Sequence, residues 1–200
     1  MSGSARGGRK AGRVVQVGEV MENPASGERF VWRATAASTA GEYCEFDLFL
    51  APGARIAAAH RHPSQLETFS VLSGTLEMSI AGQRRTVGAG EEAAVPAATA
   101  HALGNPADEA AHAVVRITPS YLIEEFFAAF CRIADSGQLN KAGLPRNPLQ
   151  FAVLADQHRA ELQLPSPLAQ AVAGPAARVL AVIGRAAGFR PDGTRAVRAR

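Results

Sequence analysis

Between residues 53 and 105 the sequence gathers three of its five histidines and one glutamate at spacings that suit metal binding. His60 and His62 stand two apart in a run that reads as a strand, so both imidazoles leave one face. Glu67 opens the β-rich run that continues FSVLSG, and His101 starts another short strand after Pro96. Three ring nitrogens and one carboxylate on neighbouring strands make a ligand set for one divalent transition metal ion. Fe, Mn, Ni, Co and Zn all accept those donors, and the residues do not choose among them. Neutral imidazoles and one carboxylate leave such an ion with a net charge of about +1. An ion that prefers six ligands keeps two neighbouring positions for water, dioxygen or a chelating substrate. His112 and His158 lack such company and read as core or boundary residues.

Strand alternation points Phe46, Phe69, Val71, Leu76, Met78 and Leu103 into the same interior. Phe69 and Val71 share the parity of Glu67, and Leu103 shares that of His101, whereas Thr68 faces outward. So apolar a lining suits a small aromatic or aliphatic ligand better than a sugar phosphate. Tyr43, Glu45 and Asp47 fall on the face opposite Phe46, which leaves catalytic residues outside the ligand set unknown.

The elements that must position these groups are mostly short strands. Val14–Val17 and Glu28–Thr35 read as strands separated by the turn residues Asn23-Pro24 and Ser26-Gly27. Cys44–Leu50 alternates Cys44, Phe46, Leu48 and Leu50 on one face. Residues 75–80 alternate likewise, Ala81-Gly82-Gln83 turns the chain into Arg84–Val87, and Ala111–Thr118 is the last clear strand. Closely spaced strands with turn signals predict an all-β sandwich or barrel. Beyond Pro119 the period changes. Ser120 reads as a helix cap, Ile123, Phe126, Phe127 and Phe130 form a helical stripe, and Gly137 ends it. A second helix is predicted over Pro148–Leu162, with Phe151, Leu154, Ala155 and Leu162 on its apolar face. Ser166-Pro167 opens a third helix that Gly174-Pro175 is expected to break. The expected architecture is mainly β, a small antiparallel barrel followed by a C-terminal helical extension. Its segments are a disordered basic N-terminus (1–12), the barrel (13–118), the extension (119–188) and a basic tail (189–200). The extension must pack on the barrel mouth or on a partner subunit.

The central stretch resembles the cupin superfamily. Gly53, His60, His62, Glu67 and Gly74 fill that family's first motif, with six residues between Gly53 and His60 where five are usual. Gly90, Pro96, His101 and Asn105 fill the second, with Ala98 in place of a glycine. The resemblance spans roughly residues 40–118 and implies a single jelly-roll barrel with His60, His62, Glu67 and His101 around one metal ion. Within that family the resemblance is read as quercetin dioxygenase-like, which implies a metal-dependent oxidoreductase acting on a phenolic or diketone-like substrate. A Lewis-acid isomerase or lyase stays open, as does a non-enzymatic protein whose metal anchors a small ligand.

Charge is unevenly placed. Residues 1–13 and 185–200 each carry +4, so a net charge of +3 leaves the body between them at −5. The basic ends lack interleaved aromatics and any reading motif, so no nucleic-acid partner is expected. Two cysteines in no metal or redox spacing, and no apolar run after the basic N-terminus, point to the cytoplasm. The apolar stretch Ala169–Gly184 contains Gly174-Pro175 and Arg178, which argues against a membrane span. The expected partners are a small-molecule ligand and, through an exposed sheet face, a second copy in a homodimer.

Overall fold

A computed structural model of the protein describes residues 14–55, 59–140 and 144–196. The disordered start expected over 1–12 and the last four residues of the tail lie outside the described residues. Among the described residues nine strands form two sheets: β1 (Val20–Asn23), β2 (Glu28–Ala34), β3 (Cys44–Leu50), β4 (Leu66–Ser73), β5 (Thr75–Ile80), β6 (Gln83–Gly88), β7 (Glu92–Val95), β8 (His101–Gly104) and β9 (Ala111–Thr118). The first sheet has six strands in the order β1-β2-β3-β9-β4-β7, and the second has three in the order β6-β5-β8. Every pairing is antiparallel.

The chain changes sheets between β4 and β5, and Gly74 makes that crossing possible. Its φ is 69°, and a Cβ there would lie 2.6 Å from the Ala110 carbonyl oxygen and 2.8 Å from Ala111 Cα. The core between the sheets holds Trp32, Phe46, Leu50, Phe69, Leu76, Met78 and Ile117, all essentially inaccessible. Each such side chain contributes about 1.5–3 kcal/mol on burial.

The first edge strand differs from expectation. Val14–Val17 is not a strand: Val14 and Val17 are exposed and only Val15 is buried. Val20–Asn23 pairs with β2 instead, because its alternation buries Met21 and Asn23 against the core.

Three helices follow among the described residues: α1 (Ile123–Asp135), α2 (Pro148–Gln157) and α3 (Pro167–Ala186). Ser120 does not cap α1. Leu122 holds the cap position without a side-chain bond, and the Ser120 hydroxyl donates to the Gly41 carbonyl at 3.1 Å. The aromatic stripe of α1 packs on the barrel, with the Phe127 ring 5.1 Å from Phe30, 5.4 Å from Phe46 and 6.0 Å from Trp32. Asn147 caps α2, accepting from Leu149 N–H at 2.9 Å, and the helix ends at Gln157, short of the expected Leu162.

Gly174-Pro175 does not break α3, which runs through both residues. Proline removes one helical hydrogen bond, the one to residue 171. Ala171 is exposed, so water can take that carbonyl. α3 packs on α2 at Gly184, where a Cβ would meet Val153 Cγ2 at 2.7 Å and the Leu149 carbonyl at 2.8 Å. Among the described residues α3 alone has the length and apolar composition of a membrane-crossing helix. Residues 189–196, read as tail, fold back with Phe189 buried, and Gln150 Nε2 donates to the Arg190 carbonyl at 3.0 Å.

Candidate metal centre

The segment carrying His60 and His62 is held by two isolated bridges and not by a continuous strand. His60 pairs with His101, the two backbone bonds being 3.0 and 2.8 Å, and Arg61 pairs with Gln163 at 3.1 and 3.0 Å. The first bridge ties the segment to β8; the second ties it to the chain just beyond α2. Between them His60 and His62 emerge on one side, as the two-residue spacing requires. The ring centroids of His60, His62 and His101 lie 4.3–5.3 Å apart, and one nitrogen from each falls within 4.8 Å of the others.

Backbone carbonyls fix which nitrogen points inward. His62 Nδ1 donates to the Glu161 carbonyl at 2.6 Å, and His101 Nδ1 donates to the Thr99 carbonyl at 3.1 Å. A carbonyl can only accept, so in the neutral rings both Nε2 atoms carry lone pairs. Glu67 Oε2 stands 2.9 Å from His101 Nε2 and 3.4 Å from His62 Nε2. Three buried acceptors facing one another demand a cation between them, either protons or a metal ion. Burial works to raise the Glu67 pKa, but the hydrogen bonds and charges of His101 and His62 prevail and hold its carboxyl well below the usual range. Burial works to lower the His62 pKa, and the bond and charge of Glu67 more than offset it. The residues therefore suit a divalent ion, with His60, His62 and His101 as a group that could hold it and Glu67 against two of the three.

The supporting residues explain the positions. Asn105 is fully buried, and its Nδ2 reaches the carbonyls of Leu50 at 3.2 Å, Ala51 at 3.2 Å and Glu109 at 2.6 Å, pinning the chain after β8 to the end of β3. Gln65, also inaccessible, donates to the Pro119 and Ser120 carbonyls at 2.8 and 3.2 Å and so fastens the ligand segment to the start of the extension. Ala98 adopts a φ of 61°, with its N–H donating to the His62 carbonyl at 2.7 Å. The turn before His101 thus forms with alanine in the left-handed region.

A cavity of about 610 Å³ adjoins this cluster. Its wall includes His60, His62 and Glu67 together with Phe30, Phe46, Phe69 and Leu103 of the barrel. Phe126, Phe127 and Phe130 of α1 close it, and residues of α2 and α3 from Phe151 to Arg178 cover it further. Of the six residues expected to line the interior, Phe46, Phe69 and Leu103 face this cavity. Val71, Leu76 and Met78 point inward but pack in the solid part of the core, outside the cavity wall. A barrel this narrow fills with its own side chains away from the mouth.

Sequence reasoning passed over the turn after α2. Glu161 supplies the carbonyl that orients His62, and His158, expected as a core or boundary residue, lies on the cavity wall. The contact between His62 and Glu161 spans 99 residues, and no local pattern announces it.

Among solved structures the chain is similar to KdgF from Halomonas sp., at 14% identity over 55% of this chain and 94% of that one, with a TM-score of 0.45. It is similar also to the Cnp3 cupin domain of Schizosaccharomyces pombe, at 12% identity over 54% and 72%, with a TM-score of 0.44. A sugar phosphate isomerase of the cupin superfamily from Silicibacter pomeroyi matches at 24% identity over 53% and 69%, with a TM-score of 0.42. No curated protein matches the sequence. Residues 47–117, about a third of the chain, match the family model described as Cupin domain.

Proposed function

We propose that the barrel binds one divalent transition metal ion through His60, His62, His101 and Glu67. We further propose that the centre works as a metal-dependent oxidoreductase, of the dioxygenase kind, on a small phenolic or diketone-like substrate. The observation behind this reading is the convergence of buried lone pairs: two Nε2 atoms whose rings are oriented by carbonyls, facing one carboxylate oxygen at 2.9 and 3.4 Å. A bound ion supplies Lewis acidity and, when redox-active, activation of dioxygen. The chain's own residues do the remainder. Thr99 and Glu161 hold the tautomers of His101 and His62, and the ionised Glu67 balances part of the ion's charge. The phenylalanine walls bind an apolar body and exclude water, which strengthens every polar interaction inside.

The test is anaerobic loading with Fe(II), then oxygen uptake against a panel of phenols and 1,3-diketones. Uptake is expected only with both ion and substrate present, and it is expected to vanish in His101→Ala. With the ion demonstrably bound, absence of turnover across the panel would overturn the oxidative reading. A metal-dependent rise in melting temperature in that case would favour a ligand-binding role.

A further inference from the structure

His158 is a cavity-wall group that packing does not explain. It follows the last residue of α2, is 1% exposed, and meets the Phe126 ring edge-on at 5.5 Å. Its main chain is satisfied, the N–H donating to the Leu154 carbonyl and the carbonyl accepting from Glu161 and Leu162. Its side chain is not, for the buried Nδ1 has no hydrogen-bond partner. Glu161 Oε2 stands 3.9 Å away, beyond bonding distance, and is itself buried without a partner, while Oε1 accepts from Leu122 N–H at 3.3 Å. Leaving such groups unmade costs about 1–3 kcal/mol each, a cost that an apolar side chain of similar volume would avoid. Buried polar groups persist unpaired where a bound molecule completes them. Burial pulls the His158 pKa down to about 4, so the ring is neutral near pH 7 and offers one donor and one acceptor.

We propose that His158 is a ligand-contacting residue, its imidazole accepting a hydrogen bond from a hydroxyl group on an otherwise apolar aromatic molecule held in the cavity. Glu161 acts as its positioning residue. Closing the 3.9 Å gap lets Oε2 accept the Nδ1 proton and leaves Nε2 to receive a ligand hydroxyl. The same turn supplies the carbonyl that orients His62, so one short segment serves both polar parts of the cavity. Resting on the metal reading above, the ligand carries a second oxygen for the histidine cluster, which makes it an aromatic oxygenated at separated positions.

The test uses the full chain, metal-free and separately loaded with Zn(II), titrated by fluorescence with 2-naphthol and 2-methylnaphthalene. The two probes have the same shape, and one carries a hydroxyl where the other carries a methyl group. His158→Phe is expected to weaken 2-naphthol about tenfold and to leave 2-methylnaphthalene unchanged, whereas His158→Gln retains most of the naphthol affinity. A lone hydroxyl does not chelate, so the pattern is expected with or without metal. Failure of metal loading therefore leaves this result standing, and failure of this result leaves the metal reading standing. The melting temperature of ligand-free His158→Phe is expected to match or exceed that of the native chain. Equal losses for both probes, no loss, no binding of 2-naphthol by the native chain, or a lowered melting temperature or failure to fold in the Phe variant would each overturn the proposal.

Discussion

The barrel and the helical extension solve the burial problem differently. The barrel places its apolar side chains in one continuous cluster from Val15 to Ile117, which α1 joins through Ile123, Phe126, Phe127 and Cys131. The remainder of the extension divides into two small groups, one around Ile133 and Leu154 and the other around Val153, Ala181 and Phe189. Beyond them α3 leaves Leu168, Val172, Val179 and Val182 exposed. Cooperative stability follows contiguous burial, so the barrel should open last and α2–α3 first. The candidate site straddles this divide. Its candidate ligand atoms and the α1 phenylalanines sit on the barrel side, while the carbonyl that orients His62 and the cover from α2 and α3 sit on the softer one.

The largest expected effect tests the rigid side. His101→Ala removes one converging nitrogen without touching the main apolar cluster. Metal affinity is expected to fall more than about a hundredfold while circular dichroism stays native. Elemental analysis after dialysis against a defined Zn(II) concentration reads the first quantity. Acid works on the same atoms. Glu67 raises the His62 pKa, so protons compete for that nitrogen from above the ordinary histidine value, and metal content should decline as pH falls through that range. Content unchanged down to pH 4 would contradict the ligand assignment.

A pair of substitutions separates the two regions by stability. Asn105→Ala strips the buried Leu50 carbonyl and the half-buried carbonyls of Ala51 and Glu109 of their shared donor and should cost about 2–3 kcal/mol of global stability, read by denaturant unfolding. Gly184→Val forces a side chain into the 2.7–2.8 Å contact between α2 and α3 and should cost about 2 kcal/mol. Its loss should appear in amide exchange as faster opening of α2 and α3, with β3 and β9 protected as before. Equal acceleration of the barrel strands would show one cooperative unit and remove the distinction.

The same divide governs what the sequence could reveal. Strands buried on one face print alternation directly into the chain, so Cys44–Leu50 and Ala111–Thr118 were legible to the residue. The convergence of His60, His62 and His101 with Glu67 beside two of them was legible because residue type and strand spacing together restrict which side chains can meet. The edge was harder: Val14–Val17 has the more β-like composition, yet Val20–Asn23 wins because Met21 and Asn23 reach the core. In the extension local signals misled. Pro175 reads as a breaker, but a helix with its outer face in solvent tolerates one missing bond. His158 reads as core by its apolar neighbours, and only the contact of its turn with a segment some hundred residues earlier reveals the cavity.

Glu28 probes the seam between barrel and extension more gently. Burial raises its pKa, against the lowering bonds from the Ser26 hydroxyl and Asn23 Nδ2, and its charge also reaches Cys131 of α1. The folded state thus holds this proton more tightly than the unfolded chain does. That stabilisation is fully present below the ordinary carboxyl value near 4.5 and is lost as pH rises through the raised one. Glu28→Gln lacks the penalty, so its melting temperature should equal the native value near pH 4 and exceed it by a few degrees at pH 8. A variant less stable than native at pH 8 would mean that the Ser26 and Asn23 bonds outweigh the burial.

The smallest effect lies in the turn before His101. Alanine in the left-handed region costs about 1–2 kcal/mol through the clash of its Cβ with the carbonyl, and glycine escapes that clash while surrendering more chain entropy on folding. At φ 61° Ala98 carries the first cost, so Ala98→Gly should stabilise the chain by about 0.5–1 kcal/mol. The gain should appear in the barrel, because the Ala98 N–H bond to the His62 carbonyl joins the turn to the ligand segment. Denaturant unfolding measures it, and metal affinity read beside it sharpens the meaning. A gain in stability with unchanged affinity would show that the strained alanine is tolerated by the surrounding fold. A gain in stability with weakened affinity would show that the strain holds His62 in place, and that the departure from glycine is part of how this site is built.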